Sequence, residues 1–103
     1  MIRHIVCWKF LEKAGGNDRG ENLLRARAML QGLRESVPQV RQLEVGIDTV
    51  RGARSWDLAL VATFDSRADL EAYQNHPAHV AVVAFLRAVQ SDRCSVDYEM
   101  PPS

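Results

Sequence analysis

Charge of one sign, cysteine, lysine and long apolar runs are all scarce in this chain of 103 residues. Thirteen basic residues balance 13 acidic ones, so no global field draws nucleic acid or anionic lipid. Eleven of the bases are arginine, which suits ion pairs and anion contacts without naming a ligand. Nothing approaches the roughly 20 apolar residues of a membrane-spanning helix. The start, Met1 to Phe10, is too short and too alternating for a signal peptide, so a cytoplasmic protein is expected. Cys7 and Cys94 are the only cysteines, and each lies in an apolar run. Such thiols pack in cores more often than they form a disulfide or a metal pair. No second Cys or His stands at ligand spacing beside either one, so no metal site is expected.

What is present fits one ordinary domain. Hydrophobic residues make up 47% and charged residues 25%, and the expected division is a single domain over 1–100 with a tail at 101–103. Residues 2 to 11 alternate: Ile2, His4, Val6, Trp8 and Phe10 share one face, and Ile5, Cys7 and Leu11 share the other with Arg3 and Lys9. Gly15-Gly16-Asn17 breaks the strand, and Asp18 with Glu21 resembles a capping pair. A helix is expected from about 18 to 36, with Leu23, Ala26, Leu30, Leu33 and Val37 as its apolar stripe, stopped by Pro38.

Leu43, Val45, Ile47 and Thr49 alternate as a second strand. Trp56, Leu58, Leu60, Ala62 and Phe64 set one face of a third, against Asp57, Ala59, Val61 and Thr63. Ser66 and Asp69 start a short helix that reaches Gln74 or Asn75, restarts at Pro77 and runs to about Gln90. A last strand is expected from about 92 to 99.

The order β-α-β-β-α-β is the split arrangement of an α+β, ferredoxin-like fold with a four-stranded antiparallel sheet. Right-handed crossovers put both helices on one side of it. The other face then carries Ile5, Cys7, Leu11, Ala59 and Val61, an apolar patch too large to leave wet. A second copy laid sheet to sheet would cover it, so a homodimer is expected.

The densest chemistry sits in Tyr73-Gln74-Asn75-His76-Pro77-Ala78-His79-Val80, which holds two of the three histidines. His79 shares a helical stripe with Val82, Val83, Leu86 and Val89, which turns its imidazole inward. Tyr73 follows Leu70 by three residues and also turns inward. His76 and Pro77 read mainly as the helix break and its cap. If the His4 face meets the helices, two imidazoles and a phenol converge in an apolar space, the signature of a small-molecule site. An imidazole can move a proton near neutral pH, and a phenol can orient a histidine or bond a carbonyl. The opposing reading is architectural: buried histidine and tyrosine often exist because their polar tips found a backbone partner.

Ile2 to Phe10, Leu43-Glu44-Val45-Gly46, Phe64-Asp65-Ser66, Tyr73 to Val80 and Asp97-Tyr98 together resemble the stress-responsive dimeric A/B barrel family over nearly the whole chain. The resemblance implies a ferredoxin-like monomer that pairs through its sheets into a dimeric α+β barrel. A plant polyketide cyclase of that family has a catalytic tyrosine and histidine similar to Tyr73 and His79, and a first-strand histidine similar to His4. Its pocket lies between sheet and helices. Gln74, Asn75, Ala26 and Arg27 depart from its lining, so its substrate is not implied here.

The expected function is therefore a pocket for a small, carbonyl-containing molecule, used by a cofactor-free acid–base cyclase or lyase of aldol type. His79 is the expected base, Tyr73 its orienter and His4 a carbonyl or water contact. Val6, Trp8, Leu60 and Val82 are the expected apolar walls. No cofactor is expected, and haem would require an axial-ligand site that the pattern does not supply. The alternative is a non-catalytic, stress-related dimeric binding or structural protein.

Overall fold

Nine alternating residues make the central strand, and the rest of the domain is arranged around it. In the computed structural model, which describes residues 1–101, β1 spans Ile2–Phe10. Pro102 and Ser103, in the expected tail, lie outside the described residues. A two-strand hairpin follows, β2 Lys13–Ala14 and β3 Asn17–Asp18, then α1 Arg19–Gln31 and α2 Leu33–Ser36. Next come β4 Gln42–Ile47, β5 Leu58–Phe64, α3 Arg67–Asn75, α4 Pro77–Val89 and β6 Gln90–Glu99. The large sheet has the order β4-β5-β1-β6 with every neighbour antiparallel, as a ferredoxin-like fold requires. Among the described residues no helix is long and apolar enough to cross a membrane.

The helices all lie on one face of the sheet. Val6, Trp8 and Phe10 of β1 and Leu58, Leu60, Ala62 and Phe64 of β5 are buried against them. The expected stripe Leu23, Ala26, Leu30, Leu33 and Val37 meets these residues, each 6% exposed or less. Asp18 caps α1 by accepting the Glu21 N–H at 2.9 Å. The continuous helix expected to residue 36 is instead interrupted at Gly32, whose weak helix propensity separates α1 from α2. The hairpin went unforeseen because its strands are only two residues long. Its turn is carried by Gly15 and Gly16 at φ +61° and +82°, where glycine is the easy residue. Buried Asn22 ties it to α1 by donating to the Ala14 carbonyl at 3.2 Å.

Two other expectations are corrected. Trp56 does not share the core face of Leu58: it lies under the Lys9 ammonium, 4.9 Å from its ring centre, while Asp57 turns inward. The strand begins only at Leu58 because Asp57 accepts the Phe10 N–H at 2.7 Å and pairs with Arg51 at 2.8 Å. Burial opposes its charge, but the Phe10 N–H and the Arg51 and Arg19 guanidiniums hold the carboxyl below its ordinary range. Cys7 and Cys94 are not core thiols. They are register partners across β1 and β6 on the sheet face away from the helices, Cys7 half-buried and Cys94 exposed. Burial and the neighbouring Cys94 raise the Cys7 thiol.

That open face also carries Ile5, Val61, Ala59 and Val96, which follow from the register pairs Ile5↔Val61, Cys7↔Ala59 and Ile5↔Val96. Val96 is 54% exposed.

Candidate functional site

The site begins with a helix that cannot continue. Pro77 disfavours helical geometry at the residue before it, and His76 adopts φ −66°, ψ 136°, ending α3 after Asn75. Pro77 then takes the first position of α4, where its missing N–H costs nothing. The His76 Nδ1 accepts the Ala78 N–H at 3.1 Å, so of the two residues that could cap α4 from the sequence, Asn75 and His76, it is His76 that does.

This break brings the last turn of α3 against the first turn of α4. The Tyr73 and His79 rings lie 4.4 Å apart, centre to centre, inclined by 53°. The His79 Nδ1 sits 3.1 Å from the Gln74 carbonyl oxygen. A carbonyl only accepts, so the Nδ1 carries the hydrogen and donates it, leaving the Nε2 with a free lone pair. The group that orients His79 is thus a backbone carbonyl rather than the Tyr73 hydroxyl. His79 is half-buried, not packed into the core, because it stands at the helix start where the cleft opens.

His4 completes the cluster. Its face of β1 meets the helices, and it is 3% exposed. Its ring stands edge-on to Tyr73 at 6.1 Å, and Phe64 packs beside both at 6.4 Å and 5.0 Å. The His4 Nδ1 is bonded to Asp97 Oδ1 across the β1–β6 ladder, where the two residues are register partners. A carboxylate oxygen there accepts the Nδ1–H and leaves the Nε2 as the other ring nitrogen available to a ligand.

These side chains line one end of a cleft of about 600 Å³ between α4 and the β1–β6 side of the sheet. That is ample for a small molecule. Val6, Trp8 and Leu60 line it as expected by position. Val82 does not: it is buried in the core, and Val83, 100° further round the helix, faces the cleft in its place. The rim carries Gln74, Arg87, Gln90 and Arg93.

Two features of the site escaped sequence reasoning. Asp97 alternates with Ser95 and Arg93 in a polar row, but only the register places it opposite His4. Arg87 and Arg93 are far apart in sequence from Tyr73 and carry no local signal beyond their charge.

The electrostatics separate the roles of the groups. Burial alone pushes the Tyr73 phenol up to about 12, so it stays protonated and can donate. Burial lowers His79 from its ordinary value of 6.5, the Gln74 hydrogen bond raises it, and the charges of His4 and Arg93 lower it further. The net effect keeps the imidazole neutral at pH 7. A neutral imidazole with a free Nε2 can accept a proton, and a neutral phenol beside it can donate a hydrogen bond to a carbonyl oxygen. Among the described residues no group of three or more His, Cys, Asp or Glu side chains could hold a metal ion.

The sequence matches the family described as the stress responsive A/B barrel domain over residues 2–100. Solved structures of similar proteins agree in fold. A dimeric ferredoxin-like protein of unknown function from Bacteroides fragilis is 28% identical, with a TM-score of 0.86 over 96% of this chain and 95% of that one. A dimeric ferredoxin-like protein from Thermobifida fusca is 26% identical, with a TM-score of 0.84 over 96% of this chain and 90% of that one. The hydroxynitrile lyase of Passiflora edulis superposes with a TM-score of 0.79 over 99% of this chain and 94% of its own. At 19% identity that likeness is one of fold alone. No curated protein matches the chain in sequence.

Proposed function

The chain belongs to the stress-responsive A/B barrel domain family, and on that premise we propose that its cleft binds a small carbonyl compound and transfers a proton beside the carbonyl. The reaction class is a cofactor-free lyase or cyclase of aldol type. His79 is the base through its Nε2, and Tyr73 donates its hydroxyl hydrogen bond to the carbonyl oxygen as negative charge develops there. His4, held by Asp97, contacts the substrate or a water. The observation that carries this reading is the convergence of His4, Tyr73 and His79 in an open cleft walled by Val6, Trp8, Leu30 and Leu60.

The working unit in this proposal is a homodimer paired through the open sheet faces. The apolar row of Ile5, Val61 and Val96 supports it, and so does the dimeric state of the Bacteroides and Thermobifida relatives.

A direct test needs no knowledge of the natural substrate. Exchange of the α-protons of methyl 3-oxooctanoate in D2O is followed by proton NMR with catalytic amounts of protein. The expected result is exchange above background, lost about a hundredfold in His79→Ala and reduced in Tyr73→Phe, with both variants still folded. Exchange by His79→Ala at the wild-type rate would sink the proposal.

The hydrogen bond from His79 to the Gln74 carbonyl favours a second reading, in which His79 simply pins the α3–α4 break of a non-catalytic dimeric protein. In that case His79→Ala lowers stability and no exchange above background is seen in any form.

A further inference from the structure

Two arginines from different elements line the cleft. Arg87 comes from the last turn of α4 and Arg93 from β6, and both line it. Among the described residues neither makes an ion pair with a carboxylate, whereas Arg19, Arg41, Arg51 and Arg67 each do. No Asp or Glu lines the cleft, and Asp97, beside it, is already bonded to His4. The chain as a whole is neutral, so this positive charge is a local property of the cleft.

The spacing along the cleft is legible from two elements. From His79 to Arg87 is eight residues of helix, about 12 Å. On the opposite wall, His4 and Asp97 form one register pair and Trp8 and Arg93 another, four residues or about 13 Å along the strand. Between the two ends the walls are apolar, with Trp8, Leu30 and Leu60 among the lining side chains.

We infer that the ligand is elongated and amphipathic, with its carbonyl beside His79, an apolar body along the walls and a terminal oxyanion held by Arg87 and Arg93. The inference rests on the cleft reading above and adds the ligand's charge and length. Guanidinium groups present planar forks that match carboxylate and phosphate oxygens, and the Gln90 amide at the same end can add a neutral hydrogen bond. A carboxylate and a phosphate monoester share this chemistry.

The test compares octanoate, octyl phosphate and 1-octanol by NMR titration, reading the His79 imidazole and Trp8 indole signals. Wild type and the double variant Arg87→Gln, Arg93→Gln are used, both checked by thermal unfolding. At least one anion is expected to bind wild type about tenfold tighter than 1-octanol, and to lose most of that advantage in the double variant. The tighter anion identifies the head group. Equal binding of all three by wild type, or a preference that survives in the double variant, overturns the inference. In those cases binding itself leaves the cleft reading standing. If none of the probes moves the His79 or Trp8 signals, both readings fall together.

Discussion

Tyr73 and His79 stack across a helix break, their ring centres 4.4 Å apart, although one belongs to α3 and the other to α4. An unbroken helix would hold both on one continuous spiral, where a step of six positions places their side chains well apart around the axis. The extended backbone at His76 removes that constraint.

The cap is therefore a structural requirement of the site. His76→Ala removes the acceptor of the Ala78 N–H and is expected to cost about 1 kcal/mol, whereas His76→Asn, which can accept the same bond, is expected to retain most of it. Urea denaturation of the two variants checks this. Equal stability of the two would show that the imidazole is dispensable as a cap.

His79 should impose a pH dependence of known sign. Its imidazole lies below 6.5 in the folded chain, so between that lowered value and 6.5 the unfolded chain binds a proton that the folded chain excludes. The neutral form's contribution to stability is present above 6.5 and is lost as pH falls through the lowered value. The stability of wild type relative to His79→Gln should accordingly decline between neutral pH and pH 5, and an NMR titration should place the His79 midpoint below 6.5. A midpoint above 6.5 would contradict the burial argument.

The pair of His4 and Asp97 can be separated from simple packing. Asp97→Ala leaves the buried Nδ1–H of His4 without its partner and is expected to destabilise by about 1–3 kcal/mol. Asp97→Asn keeps a carbonyl acceptor and should cost under about 1 kcal/mol. If α-proton exchange falls in Asp97→Asn while stability holds, the carboxylate does more than hold the ring in place.

Pairing through the open sheet face is tested by one charge. Ile5→Lys or Val61→Lys places an ammonium in the middle of that face, away from the cleft. Light scattering after size exclusion should give twice the chain mass for wild type and a single chain mass for either variant. A variant that remains dimeric would move the interface elsewhere.

Much of the fold was legible because it depends on local periodicity. The alternation in Ile2 to Phe10 and the stripe from Leu23 to Val37 each bury one face; the first gave its strand with nearly correct bounds, and the second a helical stretch that Gly32 divides in two. The caps at Asp18 and Ser66 were equally local, each bonding an N–H three residues on. Local patterns failed where a distant group won. Asp57 turned inward because the Phe10 N–H and Arg51 needed it, and this displaced Trp56 to the other side. Cys7 and Cys94 stand outside the core because they are register partners on the face away from the helices, the face on which alternation had already put Cys7 with Ile5.

The sequence by itself determined the order of the four sheet strands and the helical stretches between them, the helix break at His76-Pro77 and the inward turn of Tyr73, because each follows from interactions within a few residues. Only the tertiary structure decided that His4 meets Tyr73, that Asp97 holds His4, and that Arg87 and Arg93 line the same cleft. Those relationships depend on strand register and on the packing of α4 over the sheet. Neither leaves a periodic trace in the chain, since both are settled by residues nearly a full domain apart.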